Sequence, residues 1–268
     1  KALYWPAYHA DFAYYADKVE EGREVSALQV ALLGMYVVGP LLAGWILTVG
    51  SWLWLFSVGS VILLLSNWPL LKTPETFTPR QFSYRDTYTR LVAPENRRRL
   101  LGYLGFGEEL IVLVLWPIAI SLVVTEYVQI GEVVALSTLV TAVITLYVGK
   151  LTDEQNKHAV LKFSTILYSL GWLVRLITIT PLGIFLVDAW SRLTKNVVSV
   201  PLTAITYERA KTHLVMDTVV FFEMSLVVGK LLALGVLLVG LMFVHTLAGA
   251  WQLAWIIAAG MTLLYIFV

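Results

Sequence analysis

Eight apolar runs, separated by short polar or turn-forming clusters, dominate this chain. They fall at about 26–48, 52–71, 100–125, 130–149, 159–178, 182–205, 214–244 and 248–268. A bilayer core about 30 Å thick takes ~20 apolar residues in helical form. Each run meets that length, and we number them spans 1 to 8. A further stretch, 1–16, reads as the end of another helix. Strands of a membrane barrel would be about half as long and would alternate in polarity, which these do not. The expected fold class is therefore all-α, a polytopic membrane protein. Composition agrees: 59% of the 268 residues are hydrophobic, 14% are charged and mean hydropathy is +0.78. A soluble domain carries roughly 25% charged residues. Disordered, collagen-like and coiled-coil chains are excluded by the same values. The chain has no cysteine, so disulfides, thiolate metal sites and cysteine nucleophiles are excluded. A net charge of +1 points away from nucleic acid. The chain opens on Lys1 without a signal peptide, and we read it as a fragment whose first part is missing.

The interval 72–99 breaks the pattern. It carries Lys72, Arg80, Arg85, Arg90, Arg97, Arg98 and Arg99 together with Pro74, Pro79 and Pro94. It is expected to be a solvated linker between a first unit, 1–71, and a second, 100–268. Alternate loops share one side of a membrane. On one side stand Lys18 and Arg23, the linker's basic residues, Lys150, Lys157 and Lys162, then Arg209 and Lys211. Loops on the other side, near 49–51, 126–129, 179–181 and 245–247, have neither Lys nor Arg. The positive-inside rule places the linker and the C-terminus in the cytoplasm.

Two local motifs fall in register with this layout. After span 4 comes Gly149-Lys-Leu-Thr-Asp153-Glu-Gln-Asn156-Lys157, which resembles the G-x-L-x-D-[RK]-x-G-[RK]-[RK] loop of the major facilitator superfamily. Gly149, Leu151, Asp153 and Lys157 match; Glu154 departs, and Asn156 replaces a glycine as another residue tolerant of positive φ. In span 1, Gly39-Pro40-Leu-Leu-Ala43-Gly44 is similar to the family's fifth-helix G-P-x-x-G-G motif. The resemblance implies that span 4 is helix 8, span 1 helix 5, and the linker the long loop between helices 6 and 7. It implies two six-helix bundles, the C-terminal one complete in spans 3–8, and a chain that begins within helix 4. No residue-level similarity between spans 3–5 and 6–8 is visible. For Asp153 the resemblance implies a breakable gating contact; a helix cap is the simpler role.

Ionisable groups inside a span cost about 2.5–3.5 kcal/mol each at mid-bilayer on insertion scales, so they face protein or water. Asp188, Arg192, Lys195 and Ser199 recur at i, i+4, i+7 and i+11, one face of span 6. Two readings stand: a substrate or proton stripe, or an internal Asp188–Arg192 pair. Glu223 and Lys230 lie two turns apart in span 7. Glu223 is either proton-exchanging or bonded to Arg192 or Lys195. Glu108 and Glu109 point about 100° apart on a regular helix and cannot both face one cavity squarely. Glu109 shares a face with Gly102, Gly105 and Trp116, so two readings stand for it, a functional group or part of a close-packed face. Arg175, near the outer end of span 5, is expected to snorkel. Ser137, Thr141 and Thr145 form a polar stripe suited to interhelical hydrogen bonds. Trp116-Pro117 suggests a kink, and the remaining tryptophans and tyrosines suggest interfacial belt and core.

No metal-ligand spacing, phosphate loop or catalytic triad is visible, so neither an enzyme nor a cofactor is expected. The resemblance implies a secondary transporter moving a small solute by alternating access, with export favoured by the span 1 motif and proton coupling by carboxylates within the spans. It would sit as a monomer in the plasma (inner) membrane. The alternatives are a non-transporting scaffold or sensor of similar fold, and a membrane enzyme acting on lipids.

Overall fold

The computed structural model describes residues 20–72, 84–124, 126–154, 156–178, 180–212 and 215–268. Every element among them is helical. We label them α1 (Glu21–Val49), α2 (Trp52–Lys72), α3 (Tyr84–Val92), α5 (Tyr127–Glu154), α6 (Lys157–Val174), α7 (Pro181–Thr212), α8 (Val215–Leu241) and α9 (Leu247–Leu263). The interrupted span Pro94–Val123 is α4. The stretch 1–16, with His9 and Asp11, lies outside the described residues, as do 73–83 of the linker. The rest of the linker is not open coil: α3 forms there, and Arg90 pairs with Asp217 at the start of α8.

Among the described residues, five helices are long and apolar enough to cross a membrane: Arg23–Val49, Pro94–Val123, Lys157–Ile177, Asp217–Leu241 and Leu247–Phe267. Eight were expected. The apolar stretches described in two further helices, Trp52–Ser66 of α2 and Tyr127–Ala142 of α5, are shorter. The third, α7, has length enough but carries Asp188, Arg192 and Lys195 within eight residues. Large apolar side chains face outward along α1, α2 and α8, among them Trp54, Leu63, Leu64 and Leu231. Apolar exposure on that scale is unlike a water-soluble monomer and suits hydrocarbon.

The interior forms where α4, α6, α7, α8 and α9 meet. Tyr103, Ile111, Trp116, Tyr168, Trp172 and Trp255 anchor it. α1 lies along α5, and the two backbones approach closely. A Cβ on Gly44 would stand 2.8 Å from the Tyr127 carbonyl oxygen, and one on Gly131 2.7 Å from that of Pro40. Pro40 and Gly44 of the span 1 motif are thus at the contact. Gly39 is exposed with no neighbour within 4 Å and takes no part.

Basic segments gather at one end. Lys157 pairs with Glu208 at 3.2 Å, and Arg209 Nη2 donates to the Val268 carbonyl at 3.0 Å. With the Arg90–Asp217 pair, these join the linker, the α5–α6 turn, the α7–α8 turn and Val268. The α5–α6 turn is shorter than expected, because α5 runs to Glu154 and takes in Gly149 and Asp153.

Candidate functional site

The site is set by irregularities in α4. Its backbone runs through a 3₁₀ turn at Pro94–Asn96, α-helix at Arg97–Leu104, a second 3₁₀ turn at Gly105–Gly107, one α turn at Glu108–Leu110, π-helix at Ile111–Leu115 and α-helix at Trp116–Val123. Pro117 has no N–H to donate, and its ring crowds the carbonyl four residues earlier, that of Leu113. The wider π stretch accommodates this. At Gly107 a Cβ would lie 2.5 Å from the Gly229 carbonyl oxygen, and at Gly229 one would lie 2.5 Å from that of Leu104. That approach brings Lys230 of α8 up to the acids.

Glu108 is wholly buried, with 0% exposure. Lys195 Nζ pairs with its Oε1, Tyr168 Oη donates to Oε2 at 2.7 Å, and Tyr265 Oη donates to Oε1 at 3.2 Å. Lys195 also donates to Tyr265 Oη at 3.0 Å and lies 5.0–5.6 Å from the ring centres of Phe106, Tyr168 and Tyr265. Glu109 stands 3.8 Å from Lys195 and 2.9 Å from Lys230. The result is an alternating row, Glu108–Lys195–Glu109–Lys230, closed by two tyrosine hydroxyls. Three donors on a buried carboxylate match the demand of an ionised acid removed from water.

Both acids reach Lys195 from one turn of α4, Glu108 from a fully buried position and Glu109 from a partly exposed one.

A second cluster lies on the same face of α7, two turns away. Asp188, 2% exposed, accepts from Arg192 Nε at 2.7 Å and from Trp116 Nε1 at 2.8 Å. The Asp188–Arg192 pair, one of the two readings of the stripe, is therefore formed, while Lys195 turns to the acids of α4. Ser199 is partly buried further along α7. Glu223 is partly buried on α8, and the described carboxylate partners of Lys195 are Glu108 and Glu109 rather than Glu223.

Arg175 does not snorkel. It is 3% exposed, with its guanidinium carbon 3.7 Å from the ring centre of Trp172, 4.1 Å from Trp116 and 5.9 Å from Trp255. Coverage by α4 and α9 closes the path to the interface, and ring faces take the place of headgroups. Sequence reading missed Tyr168, Trp172 and Tyr265 as site residues. A signal was there: Tyr168, Trp172 and Arg175 repeat at i, i+4 and i+7, the spacing of Asp188, Arg192 and Lys195.

In the α5–α6 motif, Asn156 has φ −67° and caps α6, its side-chain oxygen accepting from the backbone N–H of His158 at 3.0 Å and Ala159 at 3.3 Å. The tolerance of asparagine for positive φ is not used here, because the residue serves as an N-cap. Lys157 reaches Glu208. The side chains of Asp153 and Thr145 lie outside the described residues. Ser137 and Thr141 are fully buried in α5, and Thr141 Oγ1 donates to the Ser137 carbonyl within the same helix. No cluster of metal-ligating side chains occurs among the described residues. No family model, curated protein or solved structure matches this chain.

Proposed function

We propose that this chain belongs to a secondary transporter of the major facilitator type, moving a small solute by alternating access. The row Glu108–Lys195–Glu109–Lys230 is its coupling centre. The observation that carries the reading is this row of opposite charges anchored on the fully buried Glu108, shared among α4, α7 and α8 and bonded to tyrosines of α6 and of the turn after α9. Burying ion pairs in place of apolar side chains is weak as a source of stability. In a membrane interior such groups usually mark ion or substrate pathways. A proton arriving on either carboxylate would release Lys195 toward the other, so protonation and helix position are linked. The gathering of basic segments at one end supports a cytoplasmic placement of that end in a plasma membrane. The close α1–α5 approach supports contact between the two helical units that the motif register implies. In this reading the protein is a monomer, needs no cofactor and has no enzymatic activity.

A scaffold or sensor would keep the same row as a static lock. Cysteine accessibility separates the two readings, since the chain has no native cysteine. In vesicles, Ser199→Cys should react with a membrane-impermeant maleimide added from either side, and Glu108→Gln should change the ratio of the two rates. Reaction from one side only, unchanged by Glu108→Gln, would leave the scaffold reading.

A further inference from the structure

Arg175 is the one side chain among the described residues whose charged group is buried while all three of its nitrogens lack a hydrogen-bond partner. An arginine offers five N–H donors in a fixed fork. The faces of Trp116 and Trp172 offset part of its charge, yet a ring face gives in-plane N–H groups no acceptor. The nearby carboxylate Asp188 is engaged by Trp116 and Arg192. More donors without acceptors stand close by in the fold. The indole N–H of Trp172, one turn before Arg175, is buried and unpartnered. So is the hydroxyl of Ser191 on α7, which faces α6 at Gly171. The region is rich in donors, poor in acceptors and walled by tryptophan.

We propose that Arg175 is the binding group for a small monocarboxylate with an apolar body. The carboxylate matches the guanidinium fork in two parallel N–H···O bonds. One negative charge balances the Arg175 cation, whereas a dianion would leave a charge unmatched, since the neighbouring Arg192 is already neutralised by Asp188. Tryptophan walls suit an apolar body. Entry requires Trp116 to move off the guanidinium. Trp116 directly follows the π-helical stretch Ile111–Leu115 and precedes Pro117, which has no backbone N–H to donate. This names the substrate class for the proposed transporter; it rests on that reading for what happens to the acid after binding, and binding itself can be measured separately.

The probe is sodium butyrate, with butyramide as its uncharged analogue and sodium chloride at equal ionic strength. Tryptophan emission and melting temperature of the purified full chain in detergent report binding, because three indoles surround the arginine. Butyrate should change emission saturably and raise the melting temperature, while butyramide and chloride do neither. Arg175→Gln should abolish the response. Arg175→Lys keeps the charge without the fork and should weaken it at least about tenfold. No butyrate response in the wild type, an equal response to chloride, or a response unchanged in Arg175→Lys would each overturn the assignment, even where Arg175→Gln does not fold. Uptake of labelled butyrate into proteoliposomes separates the two proposals. Binding without uptake retains the site and counts against transport; uptake untouched by Arg175→Lys retains transport and removes the site.

Discussion

Trp116 donates its indole N–H to Asp188 at 2.8 Å while its ring face holds the Arg175 guanidinium at 4.1 Å. One indole thus stands between a buried anion and a buried cation that share no hydrogen bond. Donation to the carboxylate enriches the ring's electron density, which strengthens its hold on the arginine. The same side chain forms an edge-to-face pair with Trp255, and Trp255 stacks on Trp172. α4, α6, α7 and α9 are tied together at this point.

Trp116→Phe keeps a ring face but removes the N–H. A hydrogen bond to a charged group contributes about 1.5–3 kcal/mol. Unfolding measured in mixed micelles should show a loss of that order, smaller when Asp188→Asn is already present. Equal losses in the two backgrounds would mean that the bond does not couple the residues.

Lys195 faces two carboxylates, so its removal should harm more than the loss of either acid. Lys195→Met strands Glu108 in the interior, at a cost of about 3–5 kcal/mol. Glu108→Gln costs less, because the tyrosine hydroxyls can still pair with an amide and Lys195 retains Glu109. The double variant should recover part of the loss of Lys195→Met. A double variant as unstable as the sum of its parts would show that the row is not an interacting unit.

The α1–α5 contact predicts opposite outcomes for two glycines of one motif. Gly44→Ala places a methyl against the Tyr127 backbone and should destabilise by about 1–3 kcal/mol. Gly39→Ala meets nothing within 4 Å and should be neutral or gain up to ~1 kcal/mol in helix propensity. Thermal unfolding of both variants checks this; equal effects would mean that α1 does not pack on α5 through Gly44.

Single cysteines test the sidedness. At the exposed positions Arg98 and Glu154 they should label from the basic side of the membrane only, and at Ser51 and His245 only from the other. Labelling of Glu154 and Ser51 positions from the same side would remove the alternation on which the span numbering rests.

Membrane class and helix positions are legible without a fold, because a bilayer imposes its length and apolarity on each segment separately. The stripe Asp188, Arg192, Lys195 is legible for a similar reason: α7 is regular there, and a 3.6-residue period maps sequence directly onto a face. The Pro40–Gly44 contact could be read from small residues alone. Which helix each face meets is decided only by tertiary packing. Glu108 and Glu109 are adjacent in the sequence, yet only Glu108 is fully buried, because its partners Tyr168, Lys195 and Tyr265 close over it from three other elements. Arg175 looked like an interfacial cation because its position along α6 is near an end. Its burial depends on Trp116 and Trp255, one distant before it in the chain and one distant after, and no local pattern carries their positions. Helix lengths follow from the solvent each segment must cross; the pairing of Glu108 and Glu109 with Lys195 and Lys230 follows from long-range contacts, which exist only once the chain is folded.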